Sequence, residues 1–105
     1  MLTNEQINRA IAKQRNETRV TEVVVLNTGV VGTREYAPDY CKDWAAAGPL
    51  LEDMLDVSFR VTLTRHRAGR IEAWLQTDNV SAEGPDLPEA IARAYHAAFC
   101  NEASR

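Results

Sequence analysis

The segment from Asp39 to Glu52 places Gly48-Pro49 inside a run that otherwise reads as one helix. Proline brings no amide N–H and its ring crowds the preceding turn, so a helix interior tolerates it poorly. At the first helical position the same residue costs nothing, because that N–H has no partner there anyway. The sequence therefore predicts a break. Asp39 caps a helical turn that ends near Ala47, and a new helix starts at Pro49 and runs to about Leu55. Such a start would leave backbone N–H groups beside Trp44 and Asp43, a place that suits an anion or a polar ligand.

The rest of the chain bounds what surrounds that segment. At 105 residues it has room for one domain. Hydrophobic residues make up 45%, but fifteen of them are alanine, so the core is thin and self-association would help it. The net charge of −3 argues against a general nucleic-acid surface. Ten of the twelve basic residues are arginine, whose planar fork suits carboxylates and phosphates, so a local anion site fits the composition. Cys41 and Cys100 lie far apart without a Cys-x-x-Cys spacing and read as reduced cytosolic thiols. The opening Met1-Leu2-Thr3-Asn4-Glu5 is polar, unlike a signal peptide, and no apolar run reaches transmembrane length. The expectation is a cytoplasmic protein with no membrane contact.

Local patterns give the elements. Thr3 with Gln6 forms a capping-box start, Leu2 and Ile7 stand at the staple positions, Ile7, Ala10 and Ile11 make an apolar stripe, and Glu5 pairs with Arg9. That helix fades near Gln14 to Asn16. Val20 to Leu26 reads as a strand, Asn27-Thr28-Gly29 as a turn, Val30-Val31 as a short return strand and Thr33 to Pro38 as a loop. Ser58 to Gln76 alternates as a hairpin about His66-Arg67-Ala68-Gly69, with Phe59, Val61 and Leu63 on the core face and Trp74 on the other, beside Arg60 or Thr62. Asp86-Leu87-Pro88-Glu89 starts a last helix. Its apolar face runs through Leu87, Ala90, Ile91, Ala94, Tyr95, Ala98 and Phe99, Glu89 pairs with Arg93, and Asn101 is its stop. The predicted fold is α+β: an antiparallel sheet of three to five strands with helices on one or both faces, an α-β-α sandwich. The predicted order is helix, strand or strand pair, helix, hairpin, helix.

Three stretches together carry a family resemblance: Leu2-Thr3-Asn4-Glu5-Gln6-Ile7-Asn8-Arg9-Ala10-Ile11, Asp43-Trp44-Ala45-Ala46-Ala47-Gly48-Pro49-Leu50-Leu51-Glu52, and Gly84-Pro85 with Leu87 to Tyr95. The chain resembles the phage ABA-sandwich family and its NinX-like relatives, over most of its length and least from Arg19 to Tyr36. The resemblance implies helices sandwiching a small sheet and a setting in the cytoplasm of an infected bacterium. It supplies no activity. By analogy of setting, such a protein acts against host defence, for example as a sponge that sequesters a nucleotide immune signal.

Chemistry follows from the same residues. Cys41 is near a helix start but is flanked by Asp39 and Asp43, with no histidine close in sequence, so it makes a poor nucleophile. His66 in the hairpin turn and His96 on the polar side of the last helix read as surface imidazoles. Asp39 and Asp43, four residues apart, serve either as a divalent-cation pair or as a cap. No Gly-rich phosphate loop or nucleophile motif is present, so neither catalysis nor a cofactor is expected. A ligand site is the stronger reading. Trp44 stacks on a base, Gly48 admits close approach, the N–H groups beyond Pro49 meet a phosphate, Arg34 or Arg60 adds charge, and Tyr36, Tyr40, Asp43 and Trp74 complete the surface. The plain alternative makes Trp44 and Trp74 core residues, Asp43 a cap for a helix beginning near Gly48, and the arginines solvated. Two functions are expected accordingly. One is a homo-oligomeric, non-catalytic binder of a small polar ligand such as a cyclic nucleotide or an ADP-ribose derivative. The other is a protein–protein module that docks on a host enzyme through the line Ala90, Ala94 and Ala98.

Overall fold

A computed structural model describes residues 2–25, 30–58, 60–66, 69–76 and 79–100, with the side chains of these outside 20–35. Each of its three α-helices begins on a side-chain cap. In α1 (Asn4–Arg15) the Gln6 N–H donates to Thr3 Oγ1 at 3.2 Å and the Thr3 N–H donates to Gln6 Oε1 at 2.9 Å, completing the expected box. The helix ends on Asn16 in the left-handed region at φ 58°. In α2 (Trp44–Val57) the Asp43 carboxylate accepts the Ala45 N–H at 3.0 Å. In α3 (Leu87–Tyr95) Asp86 accepts the Glu89 N–H at 3.0 Å.

Helix α2 overturns the predicted break. It runs unbroken through Gly48-Pro49, and its cap is Asp43 rather than Asp39. Pro49 leaves the Ala45 carbonyl without its helical donor, but the chain keeps helical geometry because Ala47, Leu50 and Met54 are fully buried along one face. Packing across the whole helix outweighs one missing bond.

The strands form two separate sheets. β1 (Arg19–Val25) and β2 (Val30–Tyr36) pair antiparallel over their whole length, from Arg19 opposite Tyr36 to Val25 opposite Val30. The predicted loop over Thr33 to Pro38 is therefore mostly strand, and the Asn27-Thr28-Gly29 turn lies outside the described residues. β3 (Val61–Arg65), β4 (Ile71–Leu75) and β5 (Val80–Gly84) make a meander with β4 in the centre. β5 is an element the sequence did not announce. Phe59, Arg67, Ala68 and Asn101 lie outside the described residues.

The predicted class stands: an α+β domain with a small antiparallel sheet and helices against it. The order is α1-β1-β2-α2-β3-β4-β5-α3, and the helices lie on one face of the meander. Ile71, Ala73 and Leu75 of β4 are buried, and α3 lies across β4 and β5. Helices α1 and α2 pack against α3. That position buries Ala90 and Ala94, and Ala98 behind them, so the alanine line serves the protein's own core and offers no free docking stripe. Gly84 lets α3 approach: a Cβ there would stand 2.9 Å from the Ala90 backbone nitrogen. After Tyr95 the helix widens into a π-turn (His96–Cys100) that packs on α1, with the Phe99 ring stacked on Tyr95 at 4.4 Å.

Among the described residues, the two strands of the β1–β2 ribbon pack chiefly on each other. Two seven-residue strands reach about 23 Å. The molecule measures 53 × 30 × 24 Å, and its radius of gyration of 16.0 Å exceeds the value of about 13 Å expected for a spherical domain of this length.

Candidate functional site

The root of the ribbon is where sequence-predicted site residues come closest together. A tight turn closes there, with the Lys42 and Asp43 N–H groups donating to the Asp39 carbonyl at 3.2 and 2.8 Å. The turn drives Tyr40 and Cys41 inward, and Tyr40 is 1% exposed. Its hydroxyl donates to Glu17 Oε1 at 2.5 Å. Burial first, and the Glu17 carboxylate second, push the phenol up, so Tyr40 remains a donor. Burial alone would raise Glu17. The hydrogen bonds from Tyr40 and Arg15 outweigh it and hold the carboxyl below its ordinary value. Arg15 bonds Glu17 at 3.1 Å, pairs with Asp53 and lies over the Tyr95 ring at 5.8 Å. This network fastens the turn to α1, α2 and α3. Tyr40 is thereby a structural residue and not a stacking surface.

Three clefts surround the root. The first, of about 590 Å³, is lined by Glu17, Arg19, Pro38, Asp39, Tyr40, Asp43, Ala45, Ala46 and Pro49. Among its described lining residues, three carboxylates stand against one arginine, the wrong sign for a phosphate. The second, of about 390 Å³, has Asn4, Glu5, Asn8, Arg9, Tyr36, Ala37, Asp39 and Lys42, a balanced set of charges among the described residues. Among the described residues the third, of about 690 Å³, is lined by Arg9 and Lys13 of α1 with Thr18, Tyr36 and Ala37. Trp44, Gly48, Arg60 and Trp74 line none of these three.

The remaining predicted residues are dispersed. Trp44 is the first residue of α2 and half exposed. Gly48 sits inside α2 with open space where a Cβ would go. The N–H groups beyond Pro49 are internal to a helix, so the phosphate cradle expected there is not formed. Arg60 is exposed ahead of β3, and its carbonyl accepts from Ser58 Oγ at 3.1 Å and from the Gln76 N–H at 3.0 Å. Trp74 stands on the open face of the meander opposite Thr62, its indole N–H donating to Asn79 Oδ1 at 3.2 Å. Arg34 lies opposite Thr21 in the ribbon, and its side chain is outside the described set.

The reading of Cys41 as a poor nucleophile holds, and two other chemical readings are corrected. Cys41 is fully buried, and burial, with the Glu89 carboxylate second, pushes its thiol up to about 11, which removes it as a nucleophile. Asp39 and Asp43 do not share a helix face. Asp39 accepts from Asn8 Nδ2 at 3.1 Å while Asp43 caps α2. His96 is half-buried rather than solvated, and burial, helped by the Arg93 charge, lowers its imidazole. A feature the sequence half revealed is the buried Glu89 carboxylate. It accepts from Asn4 Nδ2 at 2.8 Å and pairs with Lys42 at 3.3 Å and with Arg93 at 3.4 Å. Only the Arg93 partner is visible as a helical spacing.

No protein-family model, curated protein or solved structure matches this chain. Among the described residues no helix is long and apolar enough to cross a membrane.

Proposed function

We propose that this chain is a non-catalytic protein–protein module whose contact element is the β1–β2 ribbon, and that the ribbon's first occupant is a second copy of the chain. The observation that carries this reading is a valine-rich ribbon whose two strands, among the described residues, pack chiefly on each other. An isolated two-stranded hairpin is marginal in water. Register places Val24 and Val31 on one face of the ribbon, and Val23, Val25 and Val30 on the other. Its far half is therefore apolar on both faces, while Arg19, Glu22, Arg34 and Glu35 occupy the root half. Both strands are edge strands, so two ribbons joined side by side would make a four-stranded sheet and cover valines from each copy. The resemblance to small phage proteins suggests the setting, the cytoplasm of an infected bacterium, where such a dimer would act on a host defence protein. Light scattering on the purified chain tests this reading. The wild type should be a dimer or larger, and Val24→Lys/Val31→Lys should be a monomer with an unchanged helical circular-dichroism signal. A wild-type monomer, or a variant of unchanged mass, overturns it.

A second reading keeps a small polar ligand. Arg9, Lys13 and Tyr36 give the third cleft two cations and an aromatic ring, a combination that suits a nucleotide. Calorimetry with cyclic nucleotides and ADP-ribose derivatives should then show binding that Arg9→Ala/Lys13→Ala removes. Silence across that panel ends the sponge hypothesis.

A further inference from the structure

The open face of the three-stranded meander carries a donor cluster that the proposed function does not use. We propose that His66, Glu72 and Glu83 form a binding site for a divalent transition-metal ion of the zinc class. The three come from successive parts of the meander. His66 follows β3 and is fixed by the hairpin closure, where its N–H donates to the Arg70 carbonyl at 2.8 Å and its carbonyl accepts the Gly69 N–H at 2.9 Å. Gly69, at φ +81°, supplies the left-handed residue that this closure uses. Glu72 belongs to the central strand and stands directly opposite Glu83 of β5.

Like charges directly opposed on neighbouring strands cost stability unless a cation offsets them. The cations at hand do so incompletely. His66 Nε2 lies 3.7 Å from Glu72 Oε1 and 3.8 Å from Glu83 Oε1, beyond hydrogen-bond length in both cases. Arg70 approaches only the other oxygen of Glu83, at 3.4 Å. One nitrogen and two carboxylate oxygens, all within 4.8 Å of one another, thus surround a common point without bonding each other. Donors around a tetrahedral zinc ion, each at about 2.0–2.2 Å from it, are separated by roughly 3.3–3.5 Å. The observed Nε2–Oε1 spacings of 3.7 and 3.8 Å lie a few tenths of an ångström above that. One imidazole and two carboxylates suit zinc, cobalt or nickel better than calcium or magnesium, which prefer all-oxygen shells. Three protein ligands leave a fourth position open to water or to a partner's side chain. The ion would act as a clip joining the β3–β4 turn to β5.

The test uses the tag-free full chain, titrated with cobalt(II) and followed by visible absorption, and with zinc by calorimetry. One ion per chain is expected, with the intense visible bands of tetrahedral cobalt and a higher melting temperature when zinc is present. His66→Ala and, separately, the near-isosteric Glu72→Gln should each weaken binding by roughly tenfold or more. His66 is exposed and Glu72 half-buried, and circular dichroism of the variants checks that the fold persists. No binding at millimolar metal overturns the proposal, as does undiminished binding by His66→Ala. Near-ultraviolet thiolate-to-cobalt bands also overturn it, because they would assign the ion to Cys41 or Cys100.

Discussion

The chain contains Gly-Pro twice, and the two copies do opposite things. Gly48-Pro49 is absorbed into the middle of α2, while Gly84-Pro85 ends β5 and leads into the Asp86 cap of α3. The glycines differ as much as the prolines. A Cβ at Gly48 would meet open space, whereas one at Gly84 would come within 2.9 Å of the Ala90 backbone. The dipeptide therefore dictates neither outcome. Around Gly48-Pro49 the neighbours are strong helix formers with a buried face to satisfy, and the helix continues across the lost donor. At Gly84-Pro85 a strand must stop and a helix must dock closely on the sheet it came from, and a residue with no side chain is the one that fits.

Substitutions at these steps test that contrast. Pro49→Ala restores the amide that Ala45 lacks and should stabilise the protein by about 2–3 kcal/mol, after allowing for the extra freedom of the unfolded chain. A lower melting temperature would instead mean that Pro49 packs or binds in a way a plain helix does not require. Gly84→Ala should destabilise by about 1–3 kcal/mol, because backbone atoms of α3 cannot yield as a flexible side chain could. An unchanged denaturation midpoint would show that α3 has room to shift. Gly48→Ala should stabilise by about 1 kcal/mol, and if Gly48 serves a ligand, the gain in stability would come with a loss of affinity. Removing the caps by Asp43→Ala and Asp86→Ala should cost about 1 kcal/mol each. Equal costs would place the start of α2 at Trp44, and a negligible cost for Asp43 would move it toward Pro49.

The smallest effect concerns the turn that leads into α2. Cys41 is held there as a buried thiol, raised from its ordinary value of 9.0 to about 11. Because the folded value is the higher one, the stabilisation is present below pH 9.0 and is lost as pH climbs toward 11. Native protein at pH 8 should therefore resist alkylation at Cys41 until it is unfolded. Rapid labelling would show that the turn opens. His96 has the opposite sense. Its imidazole is lowered, so the stability it contributes is present above its ordinary value of 6.5 and falls away on acidification. Replacing it with Gln should flatten the thermal stability profile on that side.

Much of the fold was legible because its signals are local. The Thr3/Gln6 box, the Glu5–Arg9 pair, the Asp86 cap and the alternation of β4 each depend on residues at most a few positions apart, whereas Leu63 of β3, expected on the core face, is exposed. The candidate site was less legible. Tyr36, Tyr40 and Asp43 do gather at the ribbon root, but Trp44, Gly48, Arg60 and Trp74 lie elsewhere, because nothing in a list of suitable residue types fixes which of them converge. The Tyr40–Glu17 bond spans 23 positions, and the His66–Glu72–Glu83 cluster requires three strands in register.

By itself, the sequence determined the α+β class, the caps of α1 and α3, the last helix's buried face and the open-face position of Trp74. Tertiary structure alone decided that α2 runs through Gly48-Pro49, that Val80 to Gly84 becomes a strand, and that the helix after Tyr95 widens into a π-turn. The physical reason is the same in each case. A local preference is worth about a kilocalorie, and a buried face, a sheet partner or a docking helix supplies several. Where the two disagree, the longer-range interaction sets the conformation.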